Sequence, residues 1–122
     1  MSDSTTTVDA LRQEIRQFVD ARDWRQFHSP KNLSMALAIE AAELMEPFQW
    51  LDGPVSRQLD APQLAAVGEE LADVFCYTLA MANELGIDLS DTMRAKMVKN
   101  IAKYPADAYR GRFGPKDQGD RP

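Results

Sequence analysis

The sequence is poor in the residues that build disulfides and most transition-metal sites. It contains one cysteine, Cys76, and one histidine, His28. A single cysteine excludes an intrachain disulfide, and the apolar residues around it predict a buried thiol. Zinc centres normally use His or Cys ligands, and di-iron bundles use Glu-x-x-His motifs, so both classes of site are disfavoured.

Long apolar runs and an excess of basic charge are also missing. No stretch reaches the ~18 apolar residues of a membrane helix, and residues 1–7 show no leader pattern. We therefore expect a cytoplasmic protein without a membrane partner. The net charge of −5 argues against a nucleic-acid partner, which would require a basic surface. The negative net charge does not exclude a phosphorylated small ligand, because a metal ion and local basic residues can make the electrostatic potential positive at one site.

Alternating strand patterns and hairpin turn signals are absent, so the sequence predicts an all-α fold. Apolar residues at helical spacing predict four main helices joined by short links, as in a four-helix bundle. The predicted helices cover about 7–22, 30–46 and 61–85, with a fourth from Asp88 to about 103. Ser29 and Asp60 are predicted N-caps, and Gly86 a C-terminal cap.

The predicted domain organisation follows from the ends of these helices. Residues 1–6 are polar and expected to be disordered, and residues 7–110 are expected to form one all-α domain. Residues 111–122 are rich in Gly, Pro and charge, which predicts a flexible tail.

Two of the predicted helices are apolar nearly all round except for pairs of carboxylates. Glu40 and Glu43 lie in the second helix, and Glu70 and Asp73 in the third. Such helices are normally interior, and residues three apart share a face. The carboxylates of each pair repel each other, and neither helix interior contains a Lys or Arg to neutralise them. Another positive partner is therefore needed. The pattern therefore predicts a divalent metal site.

The ligand chemistry narrows the metal and the reaction. Carboxylate oxygens suit Mg²⁺, with Mn²⁺ or Ca²⁺ as alternatives. An all-oxygen Mg²⁺ site usually keeps coordination positions for water and for substrate phosphates. Hydrolysis at a phosphate is therefore the reaction class that the four carboxylates favour, as metal ligands and catalytic groups.

Several segments together resemble a known family. Glu40-x-x-Glu43, then 26 residues, then Glu70-x-x-Asp73 is similar to the signature of the all-α nucleoside triphosphate pyrophosphohydrolase (MazG-like) superfamily. Four segments resemble its dCTP pyrophosphatase branch: RDWRQFHSPKNLSMAL at 22–37, FQW at 48–50, EELADVFCY at 69–77 and KMVKNIAKYP at 96–105. The resemblance covers roughly residues 8–112.

This resemblance implies Mg²⁺-dependent cleavage of a dNTP, most specifically dCTP or a modified dCTP, to the monophosphate and pyrophosphate. It implies metal ligation by the four carboxylates. It also implies nucleotide contacts from the segment Trp24, Arg25, Gln26, Phe27 and His28, and from Trp50 and Tyr77. Vertebrate-type members carry a His in the first helix where this chain has Ile15, which leaves the base selectivity open.

The residues that the resemblance assigns to nucleotide contacts also have structural interpretations. Trp24 and Trp50 suit stacking on a nucleobase, although they also suit packing loops onto the bundle. For Phe27 we expect core packing. Tyr77 shares a helix face with Glu70 and Asp73, which favours a sugar or phosphate contact over simple bundle packing.

Basic residues in the last predicted helix form a further candidate set. Lys96, Asn100 and Lys103 share one face by their spacing of four and three. They are candidates for binding the triphosphate, with a solvated helix face as the equal alternative.

Other functions and assembly states stay open at this point. The same chemistry on dUTP or another non-standard nucleotide is one alternative. A non-catalytic helical module that binds metal or nucleotide is another. Because four short helices cover such apolar faces poorly, we expect a homodimer or homotetramer.

Overall fold

The computed structural model describes residues 1–112, and that range is helical with no strand. The α-helices are α1 (Val8–Ala21), α2 (Pro30–Met45), α3 (Gly53–Ser56), α4 (Ala61–Leu85), α5 (Leu89–Lys103) and α6 (Ala106–Tyr109). Two 3₁₀ turns, Arg25–Phe27 and Glu46–Phe48, flank α2. The all-α prediction is confirmed. From residue 113 onward the predicted flexible tail lies outside the described residues.

Side-chain caps fix where the long helices begin. The Ser29 hydroxyl accepts a hydrogen bond from the Asn32 N–H at 3.2 Å, and α2 starts directly after it. Asp60 and Gln63 form a reciprocal capping box at the start of α4, with both hydrogen bonds at 2.9 Å. Gly86 ends α4 with φ +64°, a left-handed conformation that glycine adopts without a Cβ clash.

The connection between α2 and α4 contains structure that the sequence analysis did not predict. Met45 is the last residue of α2, and Pro47 lies inside the following 3₁₀ turn. Proline fits the first turn of a new helix because its missing N–H has no intrahelical partner there. The Asp52 carboxylate then caps α3 by accepting from the Val55 N–H at 2.8 Å.

The described chain divides into two compact units, residues 1–87 and residues from 88 onward. In the first unit α4 packs against both α1 and α2. Its buried residues are few: Val19, Leu33, Leu79, Ala80 and Ala82. Alanine at two of these positions leaves room for neighbouring helices to approach α4 closely.

A clamp of hydrogen bonds joins α1 to the C-terminal end of α4. The Arg12 guanidinium donates to the backbone carbonyls of Ile87 at 2.6 Å and Ala82 at 3.2 Å. It also donates to the Asn83 side-chain oxygen at 3.0 Å, and the Asn83 amide donates back to the Arg12 carbonyl at 3.0 Å. The Ala82 carbonyl also accepts from the backbone N–H groups of Gly86 and Ile87, and a cation beside this helix end is electrostatically favourable.

The predicted burial of α2 and α4 is only partly correct for the single chain. The exposed apolar side chains on these helices include Met35, Ile39, Leu64, Leu71 and Phe75, each between 43% and 61% exposed. The reason is geometric: α4 contacts α1 and α2 over part of its circumference, and the rest of its apolar surface has no covering helix in the first unit.

The second unit contains α5 and α6. Asp88 caps α5 by accepting from the Asp91 N–H at 2.9 Å, which is half of a capping box. Tyr104 and Tyr109 meet edge to face with ring centroids 5.2 Å apart. Within residues 1–112, no helix has the length and apolar character that a membrane crossing requires.

Candidate functional site

Three carboxylates from α2 and α4 converge in the first unit. One oxygen each of Glu40, Glu43 and Glu70 lie within 4.8 Å of one another, and all three residues are half-buried. One carboxylate oxygen of Glu40 and one of Glu70 are buried with no hydrogen-bond partner within the described chain. We call these three residues the carboxylate cluster. Buried acceptors without donors are rare, and a hard cation is the partner that an all-oxygen donor set fits.

The electrostatics of the carboxylate cluster are unfavourable without a cation. Burial raises the pKa of Glu40, and the neighbouring Glu43 carboxylate raises it further. Burial likewise raises the pKa of Glu70, followed by the charges of Glu43 and Asp73. Both carboxyl groups therefore hold protons more tightly than usual, and a divalent cation would compete with those protons.

Asp73 lies beside the carboxylate cluster and is not one of its three converging groups. The apolar sequence around it predicts a position inside or at the edge of the core, and its exposed side chain agrees only with the edge. It lines the same cleft as Glu40, and its charge contributes to the raised pKa of both Glu40 and Glu70. The structure thus places Asp73 at the rim of the cluster.

An open cleft of about 330 Å³, the aromatic cleft, extends from the carboxylates toward α1. Its lining residues are Ile15, Phe18, Val19, Trp24, His28, Glu40, Asp73, Cys76, Tyr77 and Ala80. Trp24, His28 and Tyr77 were expected to face the nucleotide, and here they share a cleft with two of the predicted metal ligands. Carboxylates and flat rings that line one cleft suit a ligand with a charged part and an aromatic part.

The loop between α1 and α2, residues 22–29, carries two of these rings, and we call it the aromatic loop. The backbone N–H of Trp24 donates to the Val19 carbonyl at 3.1 Å, and the Trp24 ring meets the Phe18 ring edge to face with centroids 5.5 Å apart. The His28 ring lies 6.3 Å from that of Trp24. Asp23 has φ +52°, a left-handed conformation that lets the chain turn directly after α1.

The other residues predicted to bind substrate near this loop do not line the aromatic cleft. The Gln26 amide donates to the Asp23 carbonyl at 3.0 Å. Phe27 is 60% exposed, so its expected core packing is wrong for the single chain, because the 3₁₀ turn directs its ring to solvent. Trp50 is 88% exposed beyond the 3₁₀ turn that follows α2.

Arg25 and His28 line a second, more polar cleft of about 200 Å³. This polar cleft is bounded by Ile15, Arg16, Val19, Asp20, Arg25, His28, Ala80, Asn83 and Glu84. It shares Ile15, Val19, His28 and Ala80 with the aromatic cleft, so those four residues form the partition between the two. The Arg25 guanidinium pairs with Glu84, with Nε 3.5 Å from Oε1.

The three predicted basic-face residues lie on α5 in the second unit. Lys96 and Lys103 are exposed, and Asn100 is half-buried. The Lys103 ammonium lies 5.3 Å from the centre of the Tyr104 ring, and the Asn100 amide is 3.8 Å from the Met97 sulfur. Their role in binding a triphosphate stays a prediction.

The apolar walls of the aromatic cleft were not predicted from the sequence, and the predicted burial of Cys76 is wrong for the single chain. Ile15, Phe18 and Val19 have the helical spacing of ordinary core positions in α1, so their spacing alone does not predict that they line a cleft. Cys76 is exposed and lines the cleft, because it lies on a part of α4 that no helix of the unit covers. Partial desolvation and the nearby Asp73 charge raise the pKa of its thiol.

Comparison with known proteins identifies relatives by sequence and by structure. Residues 35–112 match the MazG-like family. A protein from Homo sapiens named dCTP pyrophosphatase 1 is 42% identical over 106 residues, covering 85% of this chain and 62% of that protein. The protein of the same name from Bos taurus is 37% identical over 110 residues, covering 88% and 65%. This chain thus spans less than two thirds of the length of these relatives.

A solved structure gives the same likeness in three dimensions. The crystal structure of a pyrophosphatase from Archaeoglobus fulgidus superposes with a TM-score of 0.77 at 34% sequence identity. The match covers 86% of this chain and 98% of that one.

Proposed function

The chain belongs to the MazG-like family, and from that membership we propose that it is a Mg²⁺-dependent nucleoside triphosphate pyrophosphohydrolase acting on dCTP or a modified dCTP. The observation that carries the proposal is the carboxylate cluster, three converging groups with two unpartnered buried oxygens. One of its members, Glu40, lines a cleft with aromatic walls, which supports a nucleotide as the ligand. The relatives named dCTP pyrophosphatase 1 support the choice of base.

The donor set fits a hard divalent cation. Glu40, Glu43 and Glu70 would hold Mg²⁺, with Mn²⁺ as the alternative, and Asp73 at the rim would be the fourth ligand. A bound cation there would neutralise charge on the phosphate oxygens and lower the pKa of a bound water.

The side chains of the aromatic cleft orient the substrate. The Trp24 ring offers a stacking surface for the base, and His28 beside it offers a ring nitrogen to a base or sugar oxygen. The Tyr77 hydroxyl would contact the sugar or the α-phosphate, since Tyr77 lines the cleft one helical turn beyond Asp73 on the same face of α4. The apolar wall of Ile15 keeps water from the base.

In the reaction, water adds to the α-phosphorus and the bond to the bridging oxygen breaks. The products are the nucleoside monophosphate and pyrophosphate. A carboxylate of the cluster accepts the proton of the attacking water.

Measurement of pyrophosphate release tests the proposal directly. The protein with Mg²⁺ is given dCTP, 5-methyl-dCTP, dUTP and dTTP separately. We expect pyrophosphate and monophosphate in equal amounts, with the cytosine nucleotides preferred. Glu43→Gln should abolish turnover, and Glu69→Gln, an exposed neighbour on α4, should retain it. Mg²⁺ binding without hydrolysis of any nucleotide would instead support a non-catalytic binding module.

The exposed apolar surface of α2 and α4 supports a further part of the proposal, that the protein is a homodimer or homotetramer. Ile39 and Leu71 are 59% and 55% exposed in the single chain. A large apolar patch of this kind normally marks an interface. Light scattering coupled to size exclusion should give a multiple of 13.7 kDa, and Ile39→Glu should shift it toward the monomer. A wild-type monomer would contradict this part.

A further inference from the structure

The aromatic loop is held at both ends by contacts that are local in sequence. At its start, the backbone N–H of Trp24 donates to the Val19 carbonyl, and the Arg22 guanidinium donates to the Phe18 carbonyl at 3.0 Å. At its end, the Asn32 amide donates to the Phe27 carbonyl at 3.0 Å. These bonds fix the loop to α1 and α2. None of these bonds reaches α4 itself, which carries the opposite wall of the aromatic cleft.

One polar side-chain contact within residues 1–112 joins the aromatic loop to α4. It is the Arg25–Glu84 ion pair at 3.5 Å. The Glu84 side chain is 20% exposed and that of Arg25 is 73% exposed, so the acid is set into the polar cleft and the arginine reaches over it. Because Arg25 lies directly between Trp24 and the rest of the 3₁₀ turn leading to His28, the pair acts on the segment that presents both rings.

Glu84 belongs to the same row of α4 as the proposed catalytic groups but is too far away to join them. Glu70, Asp73, Tyr77, Ala80 and Glu84 follow one another at spacings of three and four, which keeps them on one helix face. Fourteen residues at about 1.5 Å per residue separate Glu70 from Glu84 by about 21 Å. The carboxylate of Glu84 therefore has no part in the carboxylate cluster.

We propose that Arg25 and Glu84 are positioning residues that set the width of the aromatic cleft, by holding the aromatic loop against the end of α4 remote from the carboxylates. This inference rests on the proposed function, because it assigns to the pair the placement of the nucleotide's base. It also assigns Arg25 a role through Trp24 and His28 in place of direct substrate contact. Ile15, Val19 and Ala80 separate the polar cleft, where the pair lies, from the ligand.

The pair should affect substrate binding and leave global stability nearly unchanged. Partly exposed ion pairs add little to folding free energy, because solvent screens them. In Glu84→Gln the loop loses its tether to α4 and samples wider positions. We expect KM for dCTP to rise about threefold to fivefold, the affinity equivalent of such a pair, with kcat within about twofold. A merely structural role would lower the thermal midpoint and leave KM unmoved.

The experiment compares the full chain with Glu84→Gln, Arg25→Glu and the charge-swapped double variant Arg25→Glu/Glu84→Arg. Glu14→Gln, the same chemical change at an exposed α1 position outside both clefts, is the control. Steady-state kinetics with dCTP and Mg²⁺ is one readout. Amide hydrogen exchange of the peptide covering residues 22–29 is the second, and it needs no activity. We expect faster exchange in both single variants and recovery of exchange and KM in the swap.

Each outcome decides the matter. Recovery in the swap, with Glu14→Gln like wild type, supports the positioning role. A Glu84→Gln variant whose KM and loop exchange match the control overturns it, as does a large fall in thermal midpoint shared by the single variants and the swap. If wild type hydrolyses no nucleotide, the proposed function fails. Unchanged amide exchange of residues 22–29 in the single variants would then also reject the Arg25–Glu84 pair as a tether. Faster exchange would show that the pair holds the loop without a catalytic role.

Discussion

Replacing Arg12 with methionine should destabilise the fold more than any other single charge removal on α1. The Arg12 guanidinium makes three hydrogen bonds, two to carbonyls at the end of α4 and one to Asn83. Methionine keeps much of the apolar stem and removes all three. Hydrogen bonds from a charged donor contribute about 1.5–3 kcal/mol each, but bonds that share one group add incompletely. We expect the free energy of unfolding to fall by about 3 kcal/mol, including the lost helix-end charge.

That magnitude converts to a measurable shift in the thermal midpoint. An unfolding entropy of about 2.1 cal/mol/K per residue gives about 0.26 kcal/mol/K for this chain length, so Tm should fall by about 12 °C. Circular dichroism melts at one protein concentration provide the assay, because assembly makes Tm depend on concentration. The matched control is Arg16→Met, since the exposed Arg16 makes a single 3.2 Å bond to the same Asn83 oxygen. Equal shifts for the two variants, or an Arg12→Met midpoint within about 3 °C of wild type, would refute the clamp.

The remaining predictions concern the site. Glu40→Gln and Glu70→Gln should each raise the thermal midpoint of the metal-free protein, because each removes a partly desolvated charge. Both variants should also lose the stabilisation that Mg²⁺ gives wild type. Thermal melts with and without Mg²⁺ test this, and a retained Mg²⁺ response would count against the site. The raised pKa of both groups means that the folded protein binds more protons than the unfolded chain between the ordinary value of 4.5 and the raised one. As pH falls through that window, metal-free stability should rise while Mg²⁺ affinity falls, measured by melts and titration calorimetry; a Mg²⁺ affinity independent of pH would argue against these ligands. Trp24→Ala should raise KM for dCTP about tenfold with a smaller change in kcat, since stacking contributes about 1–3 kcal/mol per base; an unchanged KM would place the base elsewhere.

Features set by neighbouring residues were predictable from the sequence. Ser29 before Pro30, Asp60 before α4 and Gly86 after it each act within one helical turn, so the sequence alone marks those helix ends. The same kind of signal was present and unused at Asp52, where a cap three residues before Val55 starts α3. The pairing of carboxylates within each helix was likewise visible, because a spacing of three places two residues on one face.

Features set by contacts between distant residues were not predictable. Arg12 meets Asn83 and Ile87, and Arg25 meets Glu84, across more than fifty residues of chain. Nothing local at either partner specifies the other. The exposure of Cys76 was not predictable for a related reason. An apolar sequence indicates that a helix face is buried against another surface, but not whether the same chain provides that surface.

The row of residues along α4 also determines which changes of chain length this protein tolerates. One residue inserted between Glu70 and Tyr77 would rotate everything after it by about 100°, so that Tyr77 and Glu84 would leave the face of the carboxylates. Seven inserted residues would restore the face to within about 20° but would move the aromatic end of the cleft about 10.5 Å further away. The connection at 49–60 carries no such register. Insertions and deletions should therefore be accepted there, while the 70–80 segment of α4 fixes the distance between the carboxylate cluster and the far side chains of the aromatic cleft.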